Sequence, residues 1–575
     1  MILQALVQHY EDLLALGEIS RPGWGKAKVS YGLELADDGT LLSLIPLETE
    51  QLRGNKTVLA AQEREVPMPV KRTVGISANF LCDNSGYLLG ADAKGKPKRT
   101  AQCFAACREL HETVLAGVQS AAGQAVLAFF ARWQPEAAAS HPALAPYWEA
   151  LMKGGNLIFW HRYRPVFDDP EVRARWQAHY DGKAGEGEIR CLVTGQKAAP
   201  EEIHPAIKGV RGAQSSGAAL VSFNAPAFWS YDREYGENAP ISGYAAFAYT
   251  TALNHLLADR DHVQVIGDTT VVCWAMGGQS AYQDCGLEML NSDTDTERDL
   301  LDTLRKLAKG QKVEWDDTLL DPDMTFYVLG LSPNAARLSV RFFWQNSFGA
   351  FTRNILAHYE RLEMIRPAYE KRPRLSIGSI LWETVNRKAS RPEPPHQLAG
   401  SLLLSILNNT AYPATLLNNV MLRIRAEKEI SWGRASIVKA YYLRNTNSNC
   451  PEEILMEKCN EQSSYMPYVL GRLFAVLEAL QRAANPDINT TIKDRYFNAA
   501  STMPEMVFPT ILRLAQNHLK KLKDGQKIYY DKQITELMAR ITETYPARMD
   551  LPEQGAFQIG YYHQVQKNYT KKEDK

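Results

Sequence analysis

The 575-residue chain has no cysteine pair at CxxC spacing, no apolar run of bilayer length and no net charge. It also lacks the short motifs that mark common enzyme sites. Each absence removes a class. The eight cysteines, at positions 82, 103, 107, 191, 273, 285, 450 and 459, are too scattered for a disulfide framework or a zinc site. That usage fits a reducing cytoplasm, where we expect the protein to work. A membrane helix needs about 20 consecutive apolar residues, and no stretch approaches that length. The opening MILQALVQHYEDLLALGE places Leu3, Leu6, Val7, Tyr10, Leu13 and Leu14 at helical spacing, lacks a basic leader and carries Glu11 and Asp12. This predicts an amphipathic helix and no signal peptide. There is no GxxxxGKS/T phosphate loop, no HExxH, no GxSxG elbow and no GxGxxG opening a helix after a strand. No catalytic residue, metal or cofactor is therefore expected.

What is present is ordinary globular material. Hydrophobic residues make up 45% and charged residues 23%, so the chain should fold. Its length calls for two to four domains. Lys plus Arg (65) balances Asp plus Glu (65), but the charge is segregated. Seven basic residues face two acidic ones between Lys71 and Arg108, and twelve face four between Lys371 and Arg444. Between Asp284 and Asp323 the sign reverses, with twelve acidic residues against five basic. Such blocks serve as solvated faces or as surfaces for charged partners.

Hydrophobic periodicity divides the chain by texture. From Val29, VSYGLELADDGTLLSLIPL alternates around an Asp-Asp-Gly turn and predicts a hairpin. Arg99 to Arg132 predicts helix, RCLVTGQ from Arg190 a short strand, and TTVVCWAMG, MTFYVLGLSP and RLSVRFFWQ further strands. The proline-rich RPEPPHQ, from Arg391 to Gln397, predicts a linker. Beyond it, LAGSLLLSILNN, YMPYVLGRLFAVLEALQRAA, PTILRLAQNHLKKL and KQITELMARITETY are helical. The expected fold class is α+β, a mixed α/β N-terminal and middle region followed by an all-α C-terminal bundle.

Three acidic or nucleophilic groupings invite an enzymatic reading. Asp259, Asp261 and His262 could supply carboxylate and imidazole ligands to the metal of a nuclease; a solvated turn is the plainer reading. Asp293, Asp295 and Glu297 lack the glycine and glutamate of a calcium loop. Ser215 and Ser216 lie near His204 in sequence, which spacing alone does not make a hydrolytic site. More informative is KRTVGISANFLCDNSGYLLGADAKGKPKRT, from Lys71 to Thr100. Lys71, Arg72, Lys94, Lys96, Lys98 and Arg99 offer phosphate-compatible charge, and Asn79, Asn84 and Ser85 offer short polar groups for base edges. A capped surface turn would use the same residues. The segment IKGVRGAQSSGAALVSFN carries Lys208, Arg211, Gln214, Ser215 and Ser216 on a glycine-rich backbone able to approach a phosphate or a partner chain.

NFLCDNSGYLLG, CLVTGQ, HPAIKGVRGAQSSGAALVSFNAPAF, NAPISGYAAFAYTTALNHLL, VLGLSPNAARLSVRFF and YVLGRLFAVLEALQRAA, in this order from Asn79 to Ala484, closely resemble the large subunit of the type I-C CRISPR Cascade complex. The resemblance implies a non-catalytic subunit of an RNA-guided surveillance complex. Pairing with the guide reads the target, while the protein reads a short protospacer-adjacent motif (PAM) on duplex DNA. It implies R-loop promotion, stabilisation of the displaced strand and help in recruiting a helicase-nuclease. The implied partners are the crRNA-bearing backbone and handle-binding subunits, target DNA with its PAM, the displaced strand, small subunits and the helicase-nuclease. Carried onto this chain, Asn79 is the leading PAM reader, Asn84 and Ser85 are its neighbours, and Lys71 and Arg72 are backbone clamps. Lys208, Arg211, Gln214 and Ser215 become contacts to nucleic acid or to another subunit. The family also implies a small subunit translated from within the same gene. Met456 would start it, and Lys520, Lys521 and Lys523 would contact the strand. The expected regions are then 1–375, an α+β large-subunit domain; 376–455, a basic helical connector; and 456–575, a bundle resembling the small subunit.

Overall fold

The computed structural model describes residues 1–53, 56–70, 75–93, 95–182, 189–291 and 300–569. About 49% of the chain is helix and 16% strand, and every strand lies before the helices of the C-terminal region. The fold is the α+β arrangement that periodicity predicts. Two compact units form, one from Met1–Pro205 with Val221–Leu253, the other from Ala206–Leu220 with Asn254–Lys575.

In the first unit, α1 (Ile2–Leu16) buries Leu6, Tyr10 and Leu13 along one stripe, as the opening residues predict. Strand β1 (Trp24–Leu35) turns at Asp37-Asp38-Gly39 into β2 (Leu41–Pro46), with Leu33 opposite Leu44. Asp38 Oδ1 accepts the Thr40 N–H at 3.0 Å and closes the turn. A second hairpin, β3 (Glu48–Arg53) with β4 (Lys56–Pro67), pairs back onto β1 through β4. Next come β5 (Cys82–Asn84), α2 (Ser85–Leu88), α3 (Pro97–Val114), α4 (Ala121–Arg132), α5 (Trp148–Met152), β6 (Asn156–His161), β7 (Arg164–Pro165) and α6 (Pro170–Asp181). The sheet runs β3-β4-β1-β6-β5, with β2 on β1 and β7 on β6. Among the described residues, only the β1–β6 pair of this sheet is parallel. Phe129 of α4 packs on Phe159 of β6 at 5.2 Å, and Phe80 stacks on Trp176 of α6 at 5.2 Å, so aromatic rings fill the space between sheet and helices.

One local expectation is corrected. RCLVTGQ is a turn and not a strand, closed by a lone bridge between Arg190 and Lys197. The Cys191 sulfur accepts N–H groups from Val193, Thr194 and Ser242 at 3.4, 3.5 and 3.3 Å. Those bonds curl the backbone around the thiol and leave no extended run to pair.

Helix α7 (Gly243–Ala258) carries the chain across the division between the units. In the second unit β8 (Gln264–Ile266) and β9 (Thr269–Ala275) precede α8 (Ser280–Asn291) and α9 (Leu300–Ala308). A small hairpin, β10 (Val313–Trp315) with β11 (Thr318–Leu320), is followed by β12 (Thr325–Asn334) and β13 (Arg337–Ser347). The antiparallel sheet runs β13-β12-β9-β8. Helices follow without interruption by strand: α10 (Phe348–Leu362), α11 (Ile377–Trp382), α12 (Leu398–Leu407), α13 (Ala414–Glu427), α14 (Trp432–Arg444), α15 (Met466–Ala484), α16 (Ile492–Thr502), α17 (Pro504–Leu519), α18 (Asp524–Met538) and α19 (Leu551–Tyr569). The proline-rich segment lies between α11 and α12. Helices α15 and α19 touch backbone to backbone. A Cβ on Gly471 would meet the Phe557 carbonyl, and one on Gly560 the Tyr468 carbonyl, so glycine sets the distance between the helices. One apolar core runs from Ile266 to Tyr562. The terminal helices therefore share their interior with the sheet of this unit.

Candidate nucleic-acid interface

The segment from Asn79 to Thr100 builds a cleft of about 630 Å³ lined by Asn84, Gly86, Tyr87, Asp92, Lys96, Arg99, Thr100 and Cys103. Its floor is fixed from below. Leu81 has φ +56°, a left-handed conformation that costs a branched side chain about 1–3 kcal/mol. The turn is held by His111, whose Nε2 accepts the Leu81 N–H at 2.9 Å while Nδ1 donates to the Cys107 carbonyl at 2.7 Å. An imidazole in those two roles is neutral. Burial agrees, pushing its pKa down to about 4. Asp83, 1% exposed, accepts the N–H groups of Asn79 at 3.0 Å and Asn84 at 2.8 Å. The Asn84 Oδ1 then accepts the Gly86 N–H at 3.0 Å, capping α2.

The two asparagines have separate fates. Asn84 is half-buried and lines the cleft. Asn79 is 9% exposed, lies outside the lining, and spends its Oδ1 on the Val70 N–H at 2.8 Å. Ser85 is buried in the first turn of α2. Lys96 and Arg99 stand three residues apart at the start of α3, with exposed Lys98 beside them, and no acidic residue occupies that first turn. Positive side chains add here to the positive end of the helix dipole. Arg99 also donates to the Gly75 carbonyl at 2.8 Å. Lys71, Arg72 and Lys94 lie outside the described residues.

In the second unit, Ile207 and Ala218 exchange both backbone hydrogen bonds, at 2.9 and 2.8 Å, and close the 208–217 loop at its neck. Lys208, Arg211, Gln214 and Ser215 point to solvent from this loop. The Lys208 N–H donates to Asn254 Oδ1 at 2.8 Å and the Arg211 N–H to Thr270 Oγ1 at 3.1 Å. Gly217, at φ +100°, would bring a Cβ to 2.9 Å from the Ile207 carbonyl. Arg211 also lines a cavity of about 620 Å³ with Arg341, Trp382 and His396.

A family model described as CRISPR-associated protein (Cas_Csd1) matches residues 6–569. The chain belongs to that family. It is accordingly a CRISPR-associated Cascade subunit and partners other Cascade components. Comparison with curated proteins gives no match.

The remaining candidates in this Csd1-family subunit have less in common with one another. Lys520 follows the last turn of α17, where a cation answers the exposed carbonyls, and Lys521 Nζ donates to Asn485 Oδ1 at 2.9 Å. Lys523 precedes α18. All three are exposed. Met456 is exposed in an irregular segment ahead of α15. His262 is committed on both ring nitrogens, Nδ1 to Asp259 at 2.8 Å and Nε2 to Asp284 at 2.5 Å. Burial would lower its pKa, but the hydrogen bonds and charges of Asp284 and Asp259 outweigh that and raise it. With both ring nitrogens bonded to carboxylates, His262 sits in a polar cluster that leaves neither nitrogen open to a metal. Among the described residues, no group of three or more His, Cys, Asp or Glu is placed to hold one. Asp293, Asp295 and Glu297 fall outside them. His204 is buried against the Tyr249 hydroxyl at 2.6 Å. Among the described residues no helix is long and apolar enough to cross a membrane.

Reading the sequence missed Asp92 and Thr100, joined at 3.1 Å inside the cleft, and the supporting pair Asp83 and His111. Thr100 was findable, because it stands one helical turn after Lys96. His111 was not.

Proposed function

We propose that this chain is the non-catalytic large subunit of a cytoplasmic type I-C Cascade. In this reading it recognises the PAM on duplex DNA, promotes R-loop formation, steadies the displaced strand and helps recruit the helicase-nuclease. The observation that carries the reading is the cleft that gathers Asn84 with Lys96 and Arg99. A rigid amide able to address base edges sits beside two cations placed for phosphates, on a helix end that already favours anions. Asn84 is the direct reader. Asn79 acts by holding the loop through Val70, and Lys98, with Lys71, Arg72 and Lys94, extends the charged track. The 208–217 loop, with Lys208, Arg211, Gln214 and Ser215, contacts nucleic acid or a neighbouring subunit. Residues 456–575 are also made separately as the small subunit from Met456, and Lys520, Lys521 and Lys523 meet the displaced strand. The test is binding of the reconstituted guide complex to a randomised PAM library. Asn84→Ala should flatten the preference at one or two positions while Asn79→Ala lowers the yield of folded protein. Unchanged preference with Asn84→Ala refutes the assignment. A Met456→Leu gene that still yields a small band of the same mass refutes the internal start.

A further inference from the structure

The first unit carries an aromatic group that its own fold does not use. Ser230 and Arg233 bridge across a two-residue turn, and its central residues, Tyr231 and Asp232, have φ of 55° and 56°. Positive φ at both centres is the arrangement of a type I′ turn, which favours asparagine and glycine. Tyr231 takes it at a steric cost and is 96% exposed, so no burial within this chain offsets the strain. Nor does the turn hang loosely. Asn238 clamps it from both sides: Oδ1 accepts the Ser230 N–H at 2.9 Å, and Nδ2 donates to the carbonyls of Arg233 at 2.9 Å and Tyr235 at 3.1 Å. Behind the turn, Trp229 and Tyr235 pack at 5.2 Å, and the Trp229 indole N–H is fixed on the Phe223 carbonyl at 2.9 Å. Backbone strain held in place by such a clamp points to function at the strained residue. A rigid tyrosine with its ring in solvent is the form that interface anchors take.

The surrounding charge selects the partner. Asp232, Glu234 and Glu237 are exposed on the same loop against Arg233 alone. Gly236 packs directly on the backbone of Glu201 and Glu202, and Glu202 is exposed. An acidic frame repels a phosphate backbone. It complements a protein whose surface is basic because it carries RNA. We infer that the 228–238 loop, with Tyr231 as its anchor, docks this chain onto a basic guide-RNA-binding protein subunit of its Cascade. The inference rests on Cascade membership and is independent of the PAM reading.

The experiment assembles the guide-RNA complex without this chain and titrates it with labelled full-length protein. Tyr231→Ala should raise the dissociation constant by roughly 30-fold or more, the size of an anchor residue's loss. Glu234→Lys with Glu237→Lys should raise it by at least about fivefold at low salt and less at high salt. Tyr231→Gly relieves the strain, so its melting temperature should equal or exceed that of the parent while docking is lost, which separates docking from folding. Dissociation constants within twofold of the parent for both Tyr231→Ala and the charge reversal overturn the inference. So does normal docking with slowed opening of the PAM duplex, which would assign Tyr231 to DNA. PAM preference, scored on the docked parent, fails or holds on its own.

Discussion

Replacing Lys96 and Arg99 together by glutamine tests whether the cleft meets a phosphate backbone. Each phosphate contact contributes about 0.9 to the slope of log affinity against log salt on duplex DNA. Two contacts contribute about 1.8. Between about 50 and 200 mM salt, the advantage of the parent over the double variant should therefore shrink by roughly 12-fold. The structure adds a second, opposite expectation for the isolated protein. Both cations stand at the positive end of α3 with no carboxylate in its first turn, so each opposes the dipole by about 0.3–1 kcal/mol when no anion is bound. Lys96→Gln alone should leave the melting temperature unchanged or raise it, whereas Arg99→Gln also gives up the bond to the Gly75 carbonyl, which offsets that gain. The assay is fluorescence anisotropy of the reconstituted complex on a PAM duplex at four or more salt concentrations, with thermal melts alongside. An unchanged salt slope would refute the reasoning, whatever happened to affinity at one salt. A lower slope with a large fall in melting temperature would show that the cations serve the fold.

Three further outcomes follow from the geometry. Asn79→Ala leaves the Val70 N–H without its acceptor and should cost about 1–2 kcal/mol in urea unfolding, with Asn79→Asp recovering most of it. His111 is buried neutral with a pKa near 4. The unfolded chain therefore takes up a proton first, and stability due to this group is present above about pH 6.5, falls as pH drops towards 4 and levels below. The fall amounts to about 3 kcal/mol. His358 and His563, each pushed to about 3 by burial, act in the same direction, and His111→Phe should flatten the curve between pH 6.5 and 4; an unchanged curve would contradict the assignment. Gly217→Ala must move the Ile207 carbonyl, so limited proteolysis should cut the 208–217 loop sooner than in the parent.

Local chemistry made much of the fold legible. The Asp37-Asp38-Gly39 turn announced the first hairpin because its neighbours alternate, and α1, α3, α4 and the terminal helices carry their stripes in sequence. The discontinuous unit was not legible in that way. Residues 206–220 join the second unit because Ala219 bridges Arg337 and the Lys208 N–H reaches Asn254, and no periodicity records such a partner. The cleft was half visible. Lys96 and Arg99 share a helical face by spacing, whereas the choice between Asn79 and Asn84 depends on a left-handed Leu81 and a histidine thirty residues on.

The parallel pairing of β1 with β6 has a consequence for how the protein is made. Residues Val29 to Leu35 wait for Asn156 to His161, and β5, which carries Asn84, pairs with the same β6. On a ribosome adding about 5–20 residues each second, the N-terminal hairpins emerge many seconds before the strand that completes their sheet. Such long-range closure is slow. Until β6 arrives, the loop that bears Asn84 has no strand to set it, so the cleft forms only after the N-terminal hairpins and α3 and α4 have emerged. A ribosome stalled before Asn156 should present a nascent chain whose 79–85 segment is open to protease, and one stalled well past His161 should not.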